Sequence, residues 1–178
     1  GADWLLTTLL DHVDATGDLD FLRRRVLPAL RAVAEFYADV LRDPGDGGVV
    51  TLVPSYSPEN RPLGAAVNAA AAVDATMDVA AARHALTRAA RWCRELGEAV
   101  PQRDVARWED LARRLPDYRV NADGALAEWV RPGLADRYAH RHVSHLYPVW
   151  PLHEISPTPT PVSPRRPGGP SGSAPPRT

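Results

Sequence analysis

The sequence contains no lysine: all 21 of its basic residues are arginine, set against 22 acidic ones for a formal net charge of −1. The pI of about 6.7 and the scatter of the arginines give no electrostatic case for binding nucleic acid or an anionic membrane. Cysteine is nearly absent too. Cys93 is the single one, which excludes an internal disulfide and a thiolate metal cluster. Beside Trp92 in a helical pattern, it reads as a small buried hydrophobe. No apolar run approaches the roughly 20 residues that span a bilayer. The opening Gly1-Ala2-Asp3-Trp4 lacks the basic stretch of a secretory signal. It also lacks a methionine, and the amphipathic pattern is already running at Trp4, as in a piece of a longer protein. Nothing in the sequence points to a compartment or an oligomeric state.

What is plentiful is alanine, glycine and proline. With the missing lysine, that composition fits a GC-rich genome, and a bacterial source is expected. The 178 residues suffice for one domain with a core, and 44% hydrophobic with 24% charged residues is an ordinary globular balance.

The spacing predicts an all-α chain. Residues 2 to 15 read as a helix with Leu6, Leu9, Leu10 and Val13 on one face. Thr16-Gly17-Asp18 breaks it, Gly17 suiting a left-handed C-terminal position and Asp18 a cap for the next helix. Leu22, Val26, Leu30, Val33, Tyr37 and Val40 mark a long amphipathic helix, which Pro28 should kink or delay. Asp43-Pro44-Gly45-Asp46-Gly47-Gly48 is a turn cluster, followed by an extended Val49 to Val53 and a proline-bounded loop over residues 54–62. Helix is expected again from Ala66 to Leu96 in two pieces, with Met77, Ala81, Leu86, Ala90, Cys93 and Leu96 inward. Another runs from Pro101, placed at N1, through Val105, Trp108 and Leu111 to Leu115. Tyr118 to Val120 and Leu126 to Trp129 form a small hairpin about Asn121-Ala122-Asp123-Gly124.

From Ser156 to Thr178 the composition changes: eight of the chain's 18 prolines and three of its glycines fall in these 23 residues, with no aromatic. Such a segment cannot bury enough apolar surface to offset its ordering entropy and is expected to be disordered. The folded share is therefore residues 1–155 and the tail 156–178.

Candidate chemistry lies in the loops. Glu59 stands between Pro58 and Pro62, whose fixed φ values limit the loop's freedom and would hold a carboxylate in one place. That suits a general acid, which must meet a leaving-group oxygen within hydrogen-bond reach. Tyr56 and neighbouring helix ends could give it a partly desolvated pocket. From spacing alone, a solvated turn residue is the commoner meaning of such a glutamate. His140, His142 and His145 invite a zinc reading, but no carboxylate stands at ligand spacing, and neither a metal nor another cofactor is expected. Glu128-Trp129 suggests a ring stacked on a sugar, although a hairpin tryptophan is more often core. Asp74 and Asp78, spaced i,i+4, read as a solvated or first-turn acid pair without chemistry.

Taken in order, several segments resemble glycoside hydrolase family 95. They are Gly1-Ala2-Asp3-Trp4 with Thr16-Gly17-Asp18, Pro54-Ser55-Tyr56-Ser57-Pro58-Glu59-Asn60, Thr76-Met77-Asp78, Leu115-Pro116-Asp117-Tyr118, Asp123-Gly124, Glu128-Trp129 and His140-Arg141-His142-Val143-Ser144-His145-Leu146-Tyr147-Pro148. The resemblance covers about residues 1–155. It implies part of an (α/α)6 toroid that releases terminal α-1,2-linked L-fucose from a glycan with inversion. It places the general acid on Glu59 and sugar contacts, or the residues behind them, on Asn60, Arg141, His142 and His145. The family's base side uses an Asn-x-Asn motif and an Asp-Gly-Asn-Phe-Gly segment, and neither occurs in this sequence. A fragment inactive by itself is therefore expected, with a frameshift near Ile155 as the origin of the tail. A carbohydrate-binding remnant and an α-helical interaction module stay open as alternatives, although no repeat of fixed period supports the second.

Overall fold

The computed structural model describes residues 1–66, 71–98 and 100–156. The expected disorder of the tail concerns residues that, apart from Ser156, lie outside that set. About half of the described chain is helical and it has one two-residue strand pair, so the all-α expectation holds.

Helix α1 (Ala2–Thr16) ends where glycine permits it: Gly17 adopts φ 71° and its N–H donates to the Val13 carbonyl at 2.8 Å. Asp18 then caps the next segment, its Oδ1 accepting the Phe21 N–H at 2.9 Å. That segment begins as a short α2 (Leu19–Phe21), widens into a π-helical turn (Leu22–Val26) and continues as α3 (Leu27–Val40). In the wide turn the Leu27 N–H reaches the Leu22 carbonyl, five residues back. The distortion lies directly ahead of Pro28, which has no N–H to offer the Arg24 carbonyl and whose ring would strike it in a regular helix. The proline delay read from the sequence takes this form.

The turn cluster joins β1 (Leu41–Arg42) to β2 (Thr51–Leu52), paired antiparallel with Leu41 opposite Leu52. Arg114 braces the connection by donating to the Gly48 carbonyl at 2.8 Å and to both carboxylate oxygens of Asp43. Beyond β2 the structure departs from the expected helix at 66. Ala66 and residues 71–75 are not helical; Ala72 pairs with Ser55 and Ala75 with Trp129. Alanine favours helix only weakly as a prior, and here the backbone bonds across to other segments instead.

Helix α4 (Thr76–Leu96) is the central element, packed against α1, α3 and α5 (Gln102–Arg114). Its alanines at 80, 81, 82, 85, 89 and 90 are all buried, and side chains that small let neighbouring helices approach on several sides. Val79, Leu86 and Cys93 join Leu10, Leu22, Val26, Leu30 and Trp108 in the main core. Two details differ from the sequence reading. Leu9 is exposed, the inward face of α1 being Asp3, Leu6, Thr7, Leu10 and Val13. Pro101 is the N-cap of α5 and not its first residue. No helix among the described residues is long and apolar enough to cross a membrane.

The Arg114 brace has an acid signature. Hydrogen bonds from Arg114, then the Gly45 N–H, hold the Asp43 carboxyl at about 2 against an ordinary 3.8. A carboxylate depressed on folding contributes stability that is present above its unfolded value and is lost as pH falls through its folded value. Asp43→Asn should therefore melt below the parent near neutral pH. That gap should close as pH drops from 3.8 toward about 2, as followed by circular dichroism; a gap constant with pH would contradict the assignment.

Candidate active site

The segment around Glu59 is an irregular loop fixed from three directions. At its start, Leu52 and Asp74 exchange bonds: the Leu52 N–H donates to Asp74 Oδ1 at 2.7 Å and the Asp74 N–H to the Leu52 carbonyl at 3.1 Å. Asp74 is buried at φ 51°, a left-handed conformation that aspartate tolerates better than most residues. Burial pushes its carboxyl up, against the lowering effects of the Leu52 N–H and Arg131. Next, Ser55 and Ala72 exchange backbone bonds, the Ser55 hydroxyl donates to Asp78 Oδ2 at 2.8 Å, and the Tyr56 N–H reaches the same oxygen at 2.9 Å. The acid pair is thus not solvated: Asp74 lies outside α4, Asp78 lies in its first turn, and both hold the loop.

The second fixation is a buried carboxylate. Glu128 is 4% exposed. Its Oε1 accepts the Ser57 hydroxyl at 2.7 Å and its Oε2 accepts the Asn60 side-chain amide at 2.5 Å. The same amide nitrogen donates to the Arg137 carbonyl at 3.0 Å, and the Asn60 N–H donates to the Ser57 carbonyl at 2.6 Å. Asn60, 1% exposed, faces the interior. The neighbouring Trp129 is fully buried, so the sugar-stacking reading of Glu128-Trp129 is corrected: both side chains turn inward, because the 126–130 segment runs beneath the loop.

The third fixation comes from the histidine segment. The Ser144 hydroxyl donates to the Pro58 carbonyl, and Arg141 donates to Glu59 Oε2. His142 Nε2 lies 3.7 Å from the same oxygen. His140 Nδ1 accepts the His142 N–H at 3.2 Å, and the two rings sit 5.4 Å apart. His145 opens the way into the fold: its Nδ1 is buried without a hydrogen-bond partner among the described residues. The structure therefore brings Glu59, Arg141 and His142 together at the surface, with Asn60 buried behind them; among the described residues no hydrogen bond or ion pair joins His145 to those three. Among the described residues no three His, Cys, Asp or Glu side chains converge as a metal-ligand set.

The Glu59 side chain is 55% exposed. The enclosing pocket expected from Tyr56 and helix ends is not formed by these residues, because the loop is gripped from inside and turns Glu59 outward. Shallow hollows lie elsewhere, in the α4–α5 groove near Arg83 and Arg113 and around Asp18 and Arg25.

The histidine segment is anchored deeper by a residue whose role sequence reasoning missed. Asp3 is 2% exposed; it accepts the Tyr147 hydroxyl at 2.8 Å and meets His84 Nδ1 at 2.9 Å. Burial, then the negative Asp3, pushes the Tyr147 phenol up, so its hydroxyl stays a donor. Trp4 packs 5.3 Å from the Tyr147 ring and 5.6 Å from that of Trp150. The available signal was an aspartate on the apolar face of α1, in register with Leu6 and Leu10.

Against this geometry, the comparisons are decisive. The model of the glycosyl hydrolase family 95 catalytic domain matches residues 1–163. The chain belongs to that family. Its all-α architecture agrees with the family's α/α toroid. The chain is 31% identical over 161 residues to alpha-L-fucosidase 2 of Arabidopsis thaliana, an alignment covering 88% of the chain and 18% of that relative. The chain thus spans less than a fifth of the length of that relative. That relative is from a plant and gives the expected bacterial source no support.

Exposed and buried contacts should differ in weight. Tyr147→Phe leaves a buried Asp3 oxygen unpartnered and should cost about 1.5–3 kcal/mol. Arg141→Ala removes a solvent-exposed ion pair and should cost about 0–1 kcal/mol. Urea denaturation of the two variants reads the difference, and equal losses would contradict the described burial.

Proposed function

We propose that this chain carries the general-acid side of an inverting α-L-fucosidase site for terminal α-1,2-linked L-fucose, with Glu59 as the proton donor. The supporting observation is the division of labour between the two oxygens of Glu59. Oε2 accepts from Arg141, and His142 Nε2 lies 3.7 Å from it. Oε1 has no protein partner among the described residues and belongs to an exposed side chain, open to a leaving-group oxygen. A general acid needs a fixed position, which the gripped loop gives to Glu59, and one free oxygen in reach of the substrate. In the reaction, the Glu59 carboxyl gives its proton to the glycosidic oxygen as the bond from that oxygen to the anomeric carbon breaks. A water attacks that carbon from the opposite face, and a second group takes the proton of that water.

Arg141 and His142 stand where sugar hydroxyls would be met, and both offer donors at defined angles. Asn60 and His145 serve from behind, Asn60 by holding the loop. No cofactor takes part. The base side is not supplied here: the sequence has neither Asn-x-Asn nor Asp-Gly-Asn-Phe-Gly, and the carboxylate of Glu128 is buried behind the loop. The isolated chain is accordingly inactive, cleavage of its glycan partner belonging to the longer protein.

Purified chain incubated with a terminal α-1,2-fucosylated oligosaccharide should release no fucose. Joined to base-side segments of a family 95 enzyme, it should hydrolyse the same substrate, and Glu59→Gln should then cut kcat by about 10²–10⁴. Undiminished hydrolysis in that variant would remove Glu59 from the acid role.

A further inference from the structure

Glu128 presents a problem that its surroundings solve in an informative way. A carboxylate withdrawn from water is costly unless hydrogen-bonded. In this chain no Arg or His side chain forms an ion pair with Glu128 among the described residues. Its partners are Ser57 and Asn60, one on each oxygen, at 2.7 and 2.5 Å. Those two residues flank Pro58-Glu59. The buried carboxylate therefore grips the loop on both sides of the catalytic candidate without touching that residue itself.

The grip is itself anchored. The Glu128 N–H donates to Asp136 Oδ1 at 2.9 Å, and its carbonyl accepts the Thr76 N–H at 3.0 Å, at the start of α4. Asp136 is fixed in turn by the Asn121 side-chain amide at 2.5 Å. The force that orders residues 57–60 thus comes from the central helix and the 121–136 segment. On the outer side, by contrast, Glu59 meets only exposed partners: Arg141 is 71% and His142 43% exposed at the side chain. Exposed ion pairs of this kind hold a side chain weakly.

We infer that Glu128 is the positioning residue of Glu59: its buried carboxylate fixes Ser57 and Asn60, and through them sets where the Glu59 carboxyl stands against Arg141. The inference rests on Glu59 being the functional carboxylate of this site. Its test reads loop order and not catalysis, so the two ideas fail separately.

The experiment is residue-resolved amide exchange by NMR on this chain, with Glu128→Leu, Glu128→Gln and Ser57→Ala beside the parent. Glutamine can keep both contacts, its carbonyl accepting from Asn60 and its amide donating to the Ser57 hydroxyl, which accepts as readily as it donates. Leucine can keep neither and strands two buried polar groups. In Glu128→Leu the amides of residues 56–61 should exchange at least about ten-fold faster, relative to the core amides of α4. Glu128→Gln should restore near-parent rates, and Ser57→Ala, which leaves the 126–130 segment intact, should reproduce part of the loss. The carbon resonance of the Glu59 carboxyl supplies a second reading: it should respond to Arg141→Ala in the parent and no longer respond in Glu128→Leu. Unchanged loop exchange in Glu128→Leu and Ser57→Ala would overturn the assignment. So would equal acceleration of loop and core, or failure of glutamine to rescue. Undiminished fucosidase activity of Glu59→Gln in the completed enzyme, with these exchange results intact, would count against Glu59 and not against Glu128.

Discussion

A carboxylate nearly sealed from water must take its hydrogen bonds from the protein, and Glu128 takes both from the loop that carries Glu59. Much of the site's geometry follows from that constraint. With Ser57 and Asn60 drawn inward, the residues between them are pushed outward, which is why Glu59 ends on the surface although its neighbours are among the most buried polar residues of the chain. Low local dielectric strengthens the inner bonds and raises the cost of breaking them. The outer contacts of Glu59 lie in water and do little to fix it. Position is set from within, and chemistry is offered from without.

A second buried carboxylate performs the matching task for the opposite wall. Asp3 ties Tyr147 and His84 together, so α1, α4 and the histidine segment meet at one point. From there the chain doubles back through the 3₁₀ turn Ser144–Leu146 to place Ser144 on Pro58 and Arg141 on Glu59. The two anchors stand on segments far apart in sequence, and α4 is common to both: Thr76 bonds the Glu128 backbone and His84 meets Asp3. Small buried side chains along α4 let these segments close on it. The helix is thus both core and scaffold of the candidate site.

Most of the helical frame was legible in the residues because its signals are local. Gly17 and Asp18 acted as a stop and a cap, Pro28 disturbed the helix before it, and the apolar spacing of Val105, Trp108 and Leu111 faced inward as read. The misreadings have a shared cause in long-range pairing. The alanines at 71, 72 and 75 look helical in isolation, yet Ala72 and Ala75 bond to Ser55 and Trp129. Asp74 and Asp78 look like a solvated pair only if both lie on a helix, and a backbone turn at Asp74 sends it into the interior. Glu128 beside Trp129 suggested a sugar platform, since nothing local says that the loop above would cover both. Glu59 and the histidine segment could be named from their motifs as family resemblance, and the family match agrees with that resemblance. That Arg141 and His142 would share one oxygen of Glu59, 82 residues away from Arg141 in sequence, was not readable from either segment alone.

The proposed site meets L-fucose through Glu59, Arg141 and His142 at the surface, with His145 serving from behind them. The most direct measurement is titration of isotope-labelled chain with L-fucose, followed residue by residue in NMR spectra. Saturable shifts confined to these four residues and the loop around residues 57–60 are the predicted result. Shifts centred elsewhere, such as the α4–α5 groove between Arg91 and Glu109, or saturable binding unaltered by Arg141→Ala, would contradict it.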